Sequence, residues 1–160
     1  QSGFTLIELL VVVAIIALLT SIALIAMVSA RQKSRNVKRL SDMVQMLNGL
    51  ELFNAANKGY PNDIAPADGV PDNVSKFIVT IPAAPQPPDS DTCSANFSPC
   101  GGAGQPACVA ANTYYYLPKG TCQLINGVSV CPDFEYYFCL GDTTGNFSAG
   151  VRVLTPKGVK

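Results

Sequence analysis

The chain has 160 residues, 48% of them hydrophobic and 14% charged, with eleven basic and eleven acidic side chains and neither histidine nor tryptophan. A chain of this length accommodates one globular domain plus an anchoring segment rather than two domains. The lack of histidine excludes a Ser/His/Asp catalytic set and counts against a zinc site.

The first element runs from Gly3 to Ala30, GFTLIELLVVVAIIALLTSIALIAMVSA, in which Glu8 is the only charged residue. Apolar runs of eighteen or more residues read as membrane spans, and as a helix this one reaches about 40 Å. A carboxylate inside such a run is costly to bury and asks for a partner. Thr5 and Glu8 have the T-x-x-E spacing of a capping box, which accounts for Glu8 if it stays near an interface. A cation brought by a neighbouring chain would also account for it inside an apolar assembly.

The octapeptide Gly3-Phe4-Thr5-Leu6-Ile7-Glu8-Leu9-Leu10 resembles the processing site and helix start of type IV pilins and of the pseudopilins of type II secretion. The resemblance implies that a prepilin peptidase cuts between Gly3 and Phe4 and methylates the new amino terminus at Phe4. It also makes Gln1 to Gly3 a leader remnant, unless the chain is cut elsewhere, and Glu8 the assembly residue that meets the terminal amine of an adjacent subunit. The physics agrees, because a buried carboxylate left unpaired is expensive and an ammonium at the start of the next helix is the complementary charge. Unlike many members of that family, the span after Gly3 holds neither glycine nor proline, with Thr20-Ser21 as a polar interruption. Extensive melting of the helix on assembly is therefore not required by the sequence.

Behind the span, Arg31, Lys33, Arg35, Lys38 and Arg39 place five positive charges in nine residues. Such a flank on its own would keep the body of the protein in the cytoplasm. The six cysteines, all beyond the span, point instead to an oxidising compartment, and cysteines and motif together outweigh the flank. The cluster reads as a collar at lipid headgroups or as intersubunit pairing rather than as a nucleic-acid site. From there Val37, Leu40, Met43, Val44, Met46, Leu47, Leu50 and Phe53 recur in steps of three and four, an amphipathic helix expected to pack this stripe on a globular head. Gly59 is expected to cap it in a left-handed conformation, with Pro61 stopping it. Span and stripe together predict one rod of about 80 Å.

Most of the twelve prolines lie between Pro61 and Pro106, so this stretch reads as a long connection in which only Lys76 to Ile81, KFIVTI, has the pattern of a short strand. Cys93, Cys100 and Cys108 within it suggest pinning by disulfides. Strands are expected at TYYYL (113–117), FEYYFCL (134–140) and FSAGVRVL (147–154). In the third, Phe147, Ala149, Val151 and Val153 alternate with smaller or polar residues and are assigned to the core face. The disulfide candidates are Cys93, Cys100, Cys108, Cys122, Cys131 and Cys139; fifteen pairings are open, with Cys122–Cys131 a guess for the connection between the first two strands. A calcium site at Asp133, Glu135 and Asp142 is conceivable but not favoured.

The expected fold is α+β: a long N-terminal helix, membrane-spanning in residues 4–30 and amphipathic in 31–57, packed on a small antiparallel sheet in a disulfide-stapled head, 58–160. The expected function is structural, not enzymatic, with no cofactor or metal. The chain is read as a pilin that polymerises through its N-terminal helix into an extracellular type IV pilus-like filament supporting adhesion, motility or DNA uptake. Before assembly it would sit in the inner membrane, with an assembly platform and the prepilin peptidase as partners. The alternatives are a type II secretion pseudopilin forming a periplasmic piston, and a membrane-anchored binding protein that never polymerises. From Asp42 onward acids outnumber bases ten to six, which counts against direct nucleic-acid binding by the head.

Overall fold

The computed structural model describes residues 4–62, 71, 73–78, 80–85 and 113–160, the side chain of Ile25 aside. Its first element is helix α1, Leu6–Asn57, 52 residues long and so about 78 Å from end to end. No proline interrupts it, and the hydroxyls of Thr20 and Ser21, the polar break in the span, donate back to the carbonyls of Ile16 and Leu18, each at 2.7 Å. The helix ends at Lys58, which is left-handed (φ 62°) and donates its N–H to the Asn54 carbonyl at 2.7 Å. The sequence assigns that cap to Gly59. Gly59 is required for a different reason: a Cβ there would lie 2.8 Å from the Val130 Cβ and 3.0 Å from the Cys131 carbonyl oxygen, so only a glycine lets the chain pass this close to the sheet.

Seven short strands follow: β1 (Tyr60–Pro61), β2 (Tyr115–Lys119), β3 (Gln123–Ile125), β4 (Val128–Cys131), β5 (Asp133–Leu140), β6 (Gly150–Thr155) and β7 (Gly158–Val159). They form two antiparallel sheets, β1-β4-β3 and β2-β5-β6-β7. The four-stranded sheet is the one the aromatic runs predict. The smaller one escapes the sequence reading because its strands are two to four residues long. Its β3–β4 hairpin turns on Asn126-Gly127, both at positive φ (50° and 81°), the conformation in which a two-residue turn follows the twist of its strands.

The core is built where the period of two in β5 meets the period of 3.6 in α1. Phe134, Tyr136, Phe138 and Leu140, every second residue of β5, are fully buried and share one apolar cluster with Met43, Met46, Leu50 and Phe53 of the helix. Tyr116 stacks on Phe134 with ring centroids 5.8 Å apart, and Tyr60 meets the same ring edge-on at 4.8 Å. Burying each such side chain contributes about 1.5–3 kcal/mol.

Three details depart from the sequence expectation. The helix stripe is rotated: Val37 and Val44 are each 59% exposed, Leu40 and Leu47 are half-buried, and Asn36, Arg39 and Asp42 are buried instead. Polar residues can hold the inner seam because the head supplies partners for them. The segment expected as a strand at Lys76–Ile81 begins in a 3-10 turn, Val74–Lys76, with the N–H groups of Phe77 and Ile78 both donating to the Val74 carbonyl. No strand occurs among its described residues. The turn lets Val74 and Ile78 both reach the core, where an extended strand would alternate its side chains between two faces. Finally, β6 presents the opposite face. Its register pairs Leu154 with Tyr136 and Val153 with Tyr137, so Leu154 joins the core while Val151 is 38% exposed. Phe147 still packs against the core, but from the turn before the strand, where it is bridged to Thr144.

A buried polar contact ties the helix to Tyr114, the residue just before β2. The Tyr114 hydroxyl donates to Asp42 Oδ2 at 2.7 Å, and Lys38 pairs with the other oxygen of the same carboxylate. Burial, then the hydrogen bond to Asp42, pushes the Tyr114 phenol well above its ordinary value of 10. A raised folded-state value means that the stabilisation is complete below about pH 10 and is lost as pH rises beyond it. Tyr114→Phe is expected to lower the unfolding free energy by about 1.5–3 kcal/mol, the worth of a hydrogen bond to a charged group. The variant should also lose less stability than wild type between neutral pH and pH above 10. Denaturant unfolding of the detergent-solubilised chain at a series of pH values measures both.

Candidate functional site

The site begins at the N-terminus of α1. Thr5 caps the helix and Glu8 completes a reciprocal capping box: Glu8 N–H donates to Thr5 Oγ1 at 3.3 Å, while Thr5 N–H and its hydroxyl donate to Glu8 Oε2 at 2.9 and 2.6 Å. The cap read from the T-x-x-E spacing is thus formed in a single chain. It holds the carboxylate at the helix tip beside Phe4, which is 76% exposed. Gly3, the other half of the expected cleavage site, lies outside the described residues.

From Phe4 to Arg31 every described side chain is exposed. This part of α1 is long and apolar enough to cross a membrane, with a mean hydropathy of 3.1 in its most apolar window. Such a surface is stable in lipid or under other protein but not in water, so the segment has to be covered by something outside the chain.

The head takes hold of the helix just above that stem. Asn36 is fully buried and uses both ends of its amide. Its Nδ2 donates to the Asp142 carbonyl at 3.0 Å and to Thr144 Oγ1 at 3.1 Å, while its Oδ1 accepts from the Gly141 N–H at 3.1 Å and from Arg39 Nη1 at 2.8 Å. One turn below, Gln32 Nε2 donates to the Gly141 carbonyl at 2.8 Å. The loop after β5 is thereby clamped to α1 at the boundary between covered and uncovered helix. Sequence reasoning missed Asn36 because a stripe of apolar residues passes beside it. The available signal was its place in the series 36, 39, 43, 46, 50, 53, which has helical spacing and ends among buried residues.

Of the six cysteines, Cys122 and Cys131 are bonded to each other and close the β3–β4 hairpin, and Cys139 is disulfide-bonded as well. Cys93, Cys100 and Cys108 lie outside the described residues. Asp133, Glu135 and Asp142 do not come together. Asp133 opens β5 and Asp142 lies two residues beyond its last residue, Leu140, so the length of the strand, about 23 Å at 3.3 Å per residue, stands between them. Glu135 is engaged by Lys119 at 2.9 Å and by the Tyr137 hydroxyl at 2.7 Å. Burial alone would raise its carboxyl, but the hydrogen bonds from Lys119 and Tyr137 outweigh it and hold the group below the usual carboxylate value. Among the described residues no group of three acidic or thiol side chains is arranged to hold a metal ion.

Residues 1–24 match the prokaryotic N-terminal methylation motif. The chain is also similar to the type II secretion system core protein G of Vibrio cholerae, 31% identical over 87 residues, which cover 54% of this chain and 54% of that protein. The proteins of the same name from Aeromonas hydrophila and Escherichia coli are 33% and 36% identical over 61 residues, covering 38% of this chain and 43% and 42% of theirs. In its N-terminal part the chain is thus similar to the type IV pilin and pseudopilin family. The matches span about half or less of the length of these curated relatives. No solved structure matches the chain significantly.

The clamp at Asn36 makes a measurable difference to the stability of the chain. Asn36→Ala leaves the Gly141 N–H without its acceptor and the Arg39 guanidinium without one of its partners, a cost of about 1–3 kcal/mol. Amide hydrogen exchange of the detergent-solubilised chain is expected to accelerate about ten-fold or more at Gly141, with the β5 amides far less affected.

Proposed function

We propose that the chain is a subunit that polymerises through the apolar part of α1, and that the polymer is a type II secretion pseudopilus. The observation that carries the polymerisation is the uncovered stem: a rod with no cover of its own from Phe4 to Arg31 is suited first to lipid and then to a bundle of its own kind. Open-ended addition of identical surfaces gives a helical filament rather than a ring. The family's processing is carried over residue by residue. Cleavage between Gly3 and Phe4 creates an ammonium at Phe4, methylation marks it, and Glu8 of one subunit pairs with that ammonium on the next. A carboxylate buried among apolar helices needs such a counter-charge. In the precursor the capping box keeps Glu8 ordered at the helix tip, so pairing requires no refolding of the first turn.

The three core protein G relatives favour the pseudopilus over the extracellular pilus that the sequence alone puts first. The localisation that follows is the inner membrane before assembly and the periplasm afterwards, an oxidising space that suits the cysteines. The surface pilus remains the second reading, supported by the long proline-rich connection with its three cysteines, a larger head than a buried piston needs. Both readings have an assembly platform and prepilin peptidase as partners.

The two assemblies are separated by where the polymer is found. Cells producing the full chain together with its assembly machinery are expected to yield short polymers in the periplasmic fraction by electron microscopy and little in the sheared surface fraction. Glu8→Ala is expected to reduce polymer at least ten-fold while the subunit stays in the membrane. Long surface filaments would favour the pilus, and normal assembly by Glu8→Ala would reduce Glu8 to a helix cap.

A further inference from the structure

The end of the head farthest from the stem holds a cavity that polymerisation through the stem does not use. Its volume is about 400 Å³, within the range of small-molecule sites, about 300–1,000 Å³. Stretches distant in sequence converge on it: the last turn of α1, the end of β1, the turn at Val74–Lys76 and the tip of the β3–β4 hairpin. Phe53, on its wall, stands about 70 Å along the rod from Leu6.

The polar side chains lining the cavity are rich in carboxamides and only partly committed. Asn57 spends its Nδ2 on the Phe53 carbonyl at 3.0 Å, and Asn62 spends its own on Ser129 Oγ at 2.9 Å. Each therefore keeps its Oδ1 as an acceptor, and the Ser129 hydroxyl keeps its proton as a donor. Asn73 precedes the 3-10 turn in a left-handed conformation (φ 63°), which asparagine tolerates better than most residues. Its carboxamide makes no capping bond to that turn, although an asparagine in this position ordinarily supplies one, so both of its ends are available. Lys76 closes the same turn with an exposed ammonium, and no carboxylate among the described residues pairs with it. Among the described residues that line the cavity none is acidic. The apolar wall includes Phe77, half-buried and held edge-on by Phe53 with ring centroids 5.7 Å apart.

This set of groups selects a ligand. Acceptors and donors interleaved in a small space match a molecule whose own groups are both, which is the property of neighbouring hydroxyls. A half-buried aromatic ring offers an apolar surface to the C–H side of a sugar ring. One ammonium without an opposing carboxylate supplies a charge-assisted hydrogen bond to an anionic group. We propose that the cavity binds a saccharide carrying a carboxylate, with the carboxamides of Asn57, Asn62 and Asn73 on its hydroxyls, Phe77 against its ring and Lys76 on its carboxylate. A peptide fits the cavity less well, because an extended peptide needs free backbone partners along a strand edge. The backbone beside the cavity is already spent, with the Asn62 N–H donating to the Ser129 carbonyl at 3.3 Å and Pro61 paired with Val130. The site goes beyond the polymerisation reading and does not depend on it, since binding is a property of the single subunit.

The test titrates the full detergent-solubilised chain with short oligosaccharides of galacturonic, glucuronic and N-acetylneuraminic acid, with an uncharged galactose oligosaccharide and with an aspartate-rich peptide, followed by amide NMR. At least one acidic saccharide is expected to saturate with a Kd of about 1 mM or below, shifting the amides of Asn73 to Phe77 and of Gly127 to Ser129. Lys76→Gln, at an exposed position where folding is not at stake, is expected to weaken that binding about five-fold or more and to bring it to the level of the uncharged sugar. Asn73→Gly keeps the left-handed backbone without strain, removes the carboxamide and is expected to weaken acidic and uncharged sugars alike. Saturation by none of the acidic saccharides, or shifts confined to other parts of the head, would overturn the proposal. Tighter binding of the peptide at the same amides would overturn it in favour of a peptide site, and unchanged binding by both variants would remove the assigned roles of Lys76 and Asn73.

Discussion

The uncovered apolar rod is the constraint to which everything else in this chain answers. About half of a 52-residue helix carries no cover from its own chain, and its hydropathy forbids leaving it in water. Lipid and a cover of protein, such as the proposed bundle of identical helices, both satisfy it, and they make different demands on a carboxylate. At the edge of a bilayer Glu8 can remain at the interface with its capping partner Thr5. In a bundle the same group is buried, and only an opposite charge offsets that burial. On the proposed reading, the transition from one environment to the other is gated by a charge pair that cleavage before Phe4 would create.

The head stabilises the other half of the rod and decides which faces remain available. Its core lies on one side of α1, where Met43, Met46, Leu50 and Phe53 meet the alternating aromatics of β5. Its lower edge is clamped at Asn36 and Gln32, so the free stem has a fixed length and the head a fixed position on the rod. Arg39 and Asp42 complete a polar seam that pins orientation where purely apolar packing would tolerate rotation. The hairpin closed by Cys122–Cys131 rests against the exit of the helix at Gly59. In the proposed polymer, a rigid head on a rigid rod would transmit the position of one subunit to the next.

Much of this was legible in the residues. The apolar run, the capping box, the rod length and the aromatic sheet strands follow from composition and periodicity, because each is a local pattern long enough to stand above noise. What was not legible depended on pairing. Val37 and Val44 belong to the same apolar series as Met43 and Leu50, and nothing local says that the head will select the side carrying Asn36 and Arg39. The inward face of β6 is fixed by its register with β5, which a single strand does not carry. The segment Lys76–Ile81 has the β-branched composition of a strand, but it begins in the turn Val74–Lys76, which brings Val74 and Ile78 to the same core. The cap falls at Lys58 rather than the expected Gly59, and the glycine serves instead the close approach of the sheet, which leaves no room for a side chain. The Glu8 cap was visible as a spacing, whereas the clamp at Asn36 required knowing where the loop after β5 returns.

The account stands on the stem being covered by copies of itself. Electron cryomicroscopy of the assembled polymer, at a resolution that traces helices, addresses this directly. The account predicts a central bundle of N-terminal helices with heads on the outside and Glu8 of each subunit next to the amino terminus of a neighbour. A polymer held together through its heads, with the N-terminal helices outside the core or still in lipid, would contradict it.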